Sequence, residues 1–123
     1  MSWQNSAVVT TVVEPEINTT ERQWPNFDHQ IGLTEAREMI RRYRKANPSA
    51  IHSLAITKVA LERVLQQKDC VGGRFYFGMN PNGTVSLILV GVDELGNDLD
   101  EGELAEKFFP CPPFCPTDSA LNE

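Results

Sequence analysis

Cysteine and basic residues are scarce in this sequence, and each shortage excludes a class of protein. Three cysteines in 123 residues cannot all pair within one chain, which indicates reduced thiols rather than a disulfide framework. Lys and Arg number 11 against 17 Asp and Glu, giving a net charge of −6. Nucleic acid and anionic membranes carry the same sign of charge, so we expect neither as a partner. The expected partners are other proteins.

Long apolar runs are also absent. No segment approaches the ~18 to 20 apolar residues that a membrane span requires. The first residues, "MSWQNSAVVTTVVEPE", lack the basic stretch that opens a signal peptide. We therefore expect a cytoplasmic protein, and 123 residues are enough for one domain with one core.

The chain divides into three parts by composition. Residues 1–30 hold a β-branched run at positions 7 to 13, typical of a strand, followed by a polar arm that Trp24 and Phe27 could anchor. Residues 31–109 alternate helical and strand patterns and form the expected α+β domain. Residues 110–123 are a tail rich in Pro and Cys.

Two segments have the chemistry of amphipathic helices. The first begins near Leu33, with Thr34 as the expected cap. The second begins at Thr57, which is again a capping residue, and ends before Asp69. A third, short helix is predicted over residues 100 to 109. In the first helix, one apolar stripe predicts docking by that face; its members are Ala36, Met39, Ile40 and Tyr43.

A β-hairpin over residues 74 to 92 is the best-specified element. Two strand patterns flank "NPNG", where Pro81 sets a turn and Gly83 supplies a left-handed residue. The resulting fold class is α+β, with two or three helices packed on a small antiparallel sheet built on this hairpin. Both sides of the hairpin are apolar, so the side away from the helices needs cover from the N-terminal strand or from a second copy.

That second side is the predicted interaction face. It carries four side chains: Tyr76, Ile88, Val90 and Val92. An apolar sheet face without internal cover favours a protein-interaction or homo-oligomeric assembly module without catalytic activity. No phosphate-binding glycine motif, paired-histidine helix or G-x-S-x-G sequence is present.

The motif "CPPFC", residues 111 to 115, supports a second hypothesis, a thiol-based redox or metal site. Prolines push the residues before them toward extended backbone. A polyproline II segment would set Cys111 and Cys115 ~12 Å apart, beyond the ~7 Å that a disulfide allows. A tight turn would still bring the two together. With Cys70 and either His29 or His52, the same cysteines have the residue types of a zinc site.

The sequence also contains one basic patch and one acidic segment. Arg37, Arg41 and Arg44 share a helix face, which we interpret as solvated or as meeting the acidic segment, because no aromatic row accompanies them and the whole chain is acidic. The acidic residues between positions 93 and 106 do not match the glycine and ligand positions of a calcium loop.

The stretches "CVGGRFYFGMNPNGTVSLILVGVDELGNDL" and "FPCPPFC" resemble a group of small bacterial proteins. These share a Cys-Val-Gly start, a hairpin ending in Val-Gly-Val-Asp and Gly-Asn-Asp, and a terminal Cys-Pro-Pro-aromatic-Cys. The resemblance covers roughly residues 57 to 115 and implies no particular activity. It implies that Cys70, Gly72, Gly91, Asp93 and the tail form one unit, with the tail folded back near Cys70.

Overall fold

A computed structural model describes residues 24–122 of the chain. The strand predicted at residues 7 to 13 lies outside the described residues. No helix within residues 24–122 is long and apolar enough to cross a membrane. In chain order the elements are α1 (Leu33–Ala46), β1 (Ser53–Ala55), α2 (Lys58–Leu65), β2 (Gly72–Met79), β3 (Val85–Val92), β4 (Leu104–Ala105), β5 (Phe109–Cys111) and a single 3₁₀ turn (Ala120–Asn122).

The predicted hairpin is confirmed. Strands β2 and β3 pair antiparallel along their whole lengths, from Gly72 opposite Val92 to Met79 opposite Val85. At the turn, the Gly83 N–H donates to the Asn80 carbonyl over 2.9 Å, and Gly83 has φ +89°. Only glycine adopts that backbone without strain, so "NPNG" closes the hairpin as its residues dictate.

Two small antiparallel sheets form around the hairpin. Strand β4 adds to β3, giving a three-stranded sheet in the order β2-β3-β4, and β1 pairs with β5 in a second, two-stranded sheet. The short helix expected over residues 100 to 109 is wrong, because Leu104 and Ala105 pair with β3 and Lys107 has φ 66°. A left-handed residue at that position interrupts any right-handed helix. The observed architecture is the predicted α+β class with a different third element.

The core lies between α2 and the central strand β3. Its buried members are Val64 from α2, Leu89 from β3, Ala105 from β4 and Phe108. Partly buried side chains surround this cluster: Leu54, Ile56, Leu61 and Leu87. One helix stripe and one sheet face therefore meet as the hydrophobic patterns predict.

Thr57 begins α2 as predicted, because its Oγ1 accepts a hydrogen bond from the Ala60 N–H over 3.2 Å. We expect Thr57→Ala to lower the free energy of unfolding by about 1 kcal/mol, since an orphan N–H loses its partner. Urea unfolding followed by circular dichroism measures the change. Thr34→Ala is the matched control, because Thr34 lies inside α1 and caps nothing. Equal losses in both variants would contradict the capping role.

Helix α1 differs from its prediction at two points. Its N-cap is Gly32 rather than Thr34, and no side chain caps it. None of its residues is buried, and Met39 and Tyr43 remain about half exposed, so the apolar stripe docks only lightly. Its contact among the described elements is with the 3₁₀ turn of the tail. A single turn is too small to cover a stripe of four side chains.

Candidate functional site

The register of the hairpin assigns each side chain to one of two faces. The Phe75 face carries the cross-strand pairs Phe75–Leu89, Phe77–Leu87 and Met79–Val85. The Val90 face carries Arg74–Val90, Tyr76–Ile88 and Gly78–Ser86. Because strand side chains alternate, this division matches the one expected from sequence.

The predicted interaction face is largely interior. Val90 and Val92 are 3% and 0% exposed, Ile88 is half-buried, and only Tyr76 is open to solvent, at 48%. Val90 and Val92 therefore belong to the interior of the chain and are not an open surface, which corrects the expectation for those two residues. Their burial depends on tertiary cover that the strand pattern does not specify.

Trp24 covers part of the hairpin at the end where Gly72 pairs with Val92. A Cβ added at Gly72 would lie 2.7 Å from Trp24 Cζ2, so the indole rests directly on the Gly72 backbone. The backbone N–H of Trp24 also donates a hydrogen bond to the Glu94 carbonyl. Trp24 thus anchors the arm as predicted, whereas Phe27 remains 48% exposed.

The exposed apolar side chains lie on the opposite face, at what we term the apolar end of the hairpin: Phe75, Phe77 and Met79, exposed by 50%, 64% and 53%. Phe75 also contacts the core, because its ring packs edge-on against Phe108 with centroids 6.1 Å apart. Helix α2 has eight residues and spans about 12 Å. Eight residues of strand span about 26 Å. The sequence pattern predicted that the helices would cover these three residues. The short stretch from Thr57 to Asp69 limits the length of α2, and it was the signal that the helix would not cover the whole strand.

A polar cluster lies on the Val90 face. Asp98 accepts hydrogen bonds from the Tyr76 hydroxyl and from the Arg74 guanidinium, which also donates to the Gly96 carbonyl over 3.3 Å. The turn that carries Gly96 and Asp98 is itself closed by the Asp93 carboxylate, which accepts from the Leu95 and Asn97 N–H groups. The cluster ties this turn to strand β2.

These contacts shift two pKa values in opposite directions. The hydrogen bond from Tyr76, aided by Arg74, lowers the pKa of Asp98 below its ordinary 3.8, although partial burial opposes the change. The same bond, with desolvation and the Asp98 charge, raises the pKa of Tyr76 above 10.0. Both shifts favour the ionised carboxylate bonded to the neutral phenol.

Acid should therefore weaken the fold through Asp98. A carboxyl whose pKa is lower in the folded state contributes stability above its unfolded pKa, and that contribution is lost as pH falls through the folded pKa. We expect Asp98→Asn to unfold at a lower urea concentration than wild type near neutral pH and to show a smaller further loss below about pH 4. A variant whose urea midpoint falls with acid as steeply as that of wild type would exclude Asp98 as the source.

Two of the three cysteines are bonded to each other. Cys111 and Cys115 are joined by a disulfide, with their Cα atoms 4.7 Å apart. The extended geometry predicted for "CPPFC" is therefore wrong, and the turn alternative is adopted, with the Phe114 N–H donating to the Pro110 carbonyl over 2.9 Å. The Cys111–Pro112 and Pro112–Pro113 peptide bonds are cis.

Cys70 is a free cysteine in a different setting. Its thiol donates to the Gly72 carbonyl, and a Cβ added at Gly91 would lie 2.8 Å from its Sγ. Cys111 instead lies in β5, opposite Ser53 of β1. Within residues 24–122, no group of three or more His, Cys, Asp or Glu side chains is arranged to hold a metal ion.

The two histidines have ordinary partners. The His29 ring packs edge-on against Phe27 with centroids 4.8 Å apart, and His52 Nδ1 lies 3.2 Å from Arg44 Nη2. An arginine can only donate, so His52 Nδ1 accepts this bond. Arg44 is thereby drawn out of the basic helix face and toward β1.

An open depression of about 450 Å³ borders the acidic segment and is lined by Gln67, Lys68, Asp98, Leu99, Asp100, Glu101 and Gly102. Gln67 stiffens its wall, because Nε2 donates to the Val64 carbonyl over 2.7 Å while Oε1 accepts from the Glu103 N–H over 2.8 Å. Two of its acidic side chains, Asp100 and Glu101, are exposed, whereas the third, Asp98, is bonded to Arg74 and Tyr76.

Comparison of the chain with protein-family models, with curated proteins and with solved structures finds no match.

Proposed function

We propose that this protein is a cytoplasmic protein-interaction module, without catalytic activity, that assembles with further copies of itself. The observation that carries the proposal is the apolar end of the hairpin, where three large side chains stand exposed together on one strand. Single exposed apolar residues are common, but a contiguous row of them marks an interaction surface in a folded protein.

The position of these residues in the sheet favours a second copy as the partner. Strand β2 is at the edge of the three-stranded sheet and has a neighbour on one side only among the described strands. An antiparallel edge strand can meet its own copy across a two-fold axis, so that the same side chains contact one another from both chains.

Charge is compatible with this pairing. A net charge of −6 makes two copies repel each other over most of their surfaces. The Phe75 face of the hairpin, however, carries only glycine and apolar side chains from Gly73 to Met79 and from Val85 to Gly91. The apolar ends of two hairpins can therefore meet without burying a like-charge pair.

Met79→Lys tests the proposal, because it places a charge at the apolar end without touching the core. We expect wild type to sediment at twice 13.8 kDa at high concentration, and Met79→Lys to raise the dissociation constant at least about tenfold. Sedimentation velocity over a concentration series gives both values.

Val59→Lys is the matched control, because Val59 is an apolar residue 70% exposed on α2 and is not part of the sheet. Its dissociation constant should equal that of wild type. A wild-type protein that remains at 13.8 kDa up to about 1 mM would overturn self-association, since weaker contacts than this carry no specific assembly.

A further inference from the structure

The two bonded cysteines differ in their access to solvent. Cys111 is 1% exposed and is held in strand β5, where its carbonyl accepts the His52 N–H over 2.6 Å. Cys115 is only half-buried and lies in the turn beyond the strand. Of the two bonded residues, Cys111 is therefore closed off from solvent, whereas Cys115 is partly open to it.

We propose that Cys111 and Cys115 form a reversible dithiol–disulfide couple in which Cys115 exchanges with an external dithiol and Cys111 is the buried partner. Thiol–disulfide exchange requires the attacking thiolate to reach one sulfur, so access selects which sulfur is attacked. This couple does not depend on self-association of the hairpin.

Reduction proceeds in two exchanges. A thiolate of the external dithiol attacks Cys115 Sγ, the Sγ–Sγ bond breaks, and its electron pair leaves on Cys111 Sγ, which takes up a proton. The second thiolate of the external dithiol then attacks the first sulfur of that same dithiol, which is bonded to Cys115 Sγ in the mixed disulfide. This bond breaks, and Cys115 leaves as a thiolate, which is protonated in turn. The external dithiol is oxidised to a disulfide, and two electrons and two protons reach the cysteine pair.

The loop favours closure of the bond after reduction. Its backbone is fixed by the hydrogen bonds from Phe114 N–H to Pro110 O and from Cys115 N–H to Pro113 O, 2.9 and 3.0 Å long. The Phe114 ring packs edge-on against Phe109, with centroids 5.6 Å apart. None of these contacts uses the sulfur atoms, so the two thiols remain close together and re-form the bond as an intramolecular step.

The proposed cytoplasmic location gives the couple its role. Glutathione and thioredoxin-type dithiols keep most cytoplasmic thiols reduced, and disulfides that occur there are usually transient. A disulfide with one partly exposed cysteine and a preformed loop can be both reduced and re-formed by exchange with that pool.

The test uses the whole chain with Cys70→Ser, so that only this pair reacts, and adds either Cys111→Ser or Cys115→Ser. Each single-thiol protein is mixed with glutathione disulfide, and intact mass spectrometry follows formation of the mixed disulfide. We expect Cys115 in the Cys111→Ser protein to react at least about tenfold faster than Cys111 in the Cys115→Ser protein, because exchange follows access. Equal or reversed rates would overturn the assignment.

A second measurement avoids the serine substitutions, which remove the bond. The Cys70→Ser protein is purified without reductant and treated with dithiothreitol under native conditions. We expect it to gain two hydrogens with an unchanged circular dichroism spectrum, and iodoacetamide to label Cys115 before Cys111. Failure of glutathione disulfide to restore the bond, or reduction only in denaturant, would show that the pair is not a reversible couple.

Discussion

Replacing Leu89 with alanine should lower the free energy of unfolding by about 2 to 5 kcal/mol. Leu89 is 1% exposed at the centre of strand β3, where it packs with Val64, Ala105 and Phe108. The substitution removes its buried methyl groups and leaves a cavity, because the paired strands on both sides of β3 hold the backbone in place. Urea unfolding monitored by circular dichroism measures the loss.

Leu95→Ala is the control for that experiment. Leu95 is 56% exposed in the turn after β3, so the same truncation should cost less than about 0.5 kcal/mol. Similar losses at the two positions would mean that Leu89 does not occupy the core. The slope of the unfolding transition should remain unchanged in both variants, since neither alters the surface exposed on unfolding by much.

Val92→Asp should abolish the folded state. Val92 is fully buried on the Val90 face, lies opposite Gly72 and forms an isolated β-bridge with Asp98. A carboxylate at this position would be removed from water without a cation of its own, and Asp98 already engages Arg74. Burying an unpaired charge costs several kcal/mol, a large part of the ~5 to 15 kcal/mol that stabilises a typical domain. Near-ultraviolet circular dichroism and the loss of a cooperative thermal transition report the result.

The same variant separates an interior role from an interface role. If Val92 contacted a second copy, as the sequence pattern suggested, Val92→Asp would remain a folded monomer. Val92→Ala provides the comparison, because it removes volume without adding charge and should cost about 1 to 3 kcal/mol while leaving the fold intact. A folded, monomeric Val92→Asp protein would return Val92 to the interaction face.

Elements with strong local chemistry were predicted correctly. The hairpin follows from alternating apolar residues on either side of a turn whose glycine adopts a left-handed backbone. Helix α2 follows from the side-chain cap of Thr57 and an apolar stripe that includes Val64. In both, the local preference and the tertiary contacts favour the same structure, so the sequence alone is sufficient.

Elements decided by distant partners were predicted incorrectly. Residues 104 and 105 pair with β3 instead of forming a helix, and no local pattern encodes that pairing. The "CPPFC" stretch was expected to be extended because a proline pushes the residue before it toward extended backbone, whereas the structure joins Cys111 to Cys115. Strand β5 also lies across the predicted boundary between domain and tail.

At the apolar end of the hairpin, too, the sequence pattern predicts some features, while others depend on tertiary packing. The alternation of side chains placed Phe75, Phe77 and Met79 together on one face, as the register confirms. Which face is covered depends on the reach of α2 and on the position of Trp24 over Gly72. Periodicity identifies two apolar faces but not which residues on them are covered, and Val90 and Val92, expected at the surface, are buried.

The pairing of β1 with β5 constrains the order in which the chain can fold during synthesis. Strand β1 leaves the ribosome before α2 and the whole hairpin, and its partner β5 emerges only after them. Until then Leu54 and Ile56, which pack on the core, lack the strand that holds them in place. Helix α2 and the hairpin can associate first through local contacts. The second sheet, formed by β1 and β5, then forms last, against a core that is already assembled.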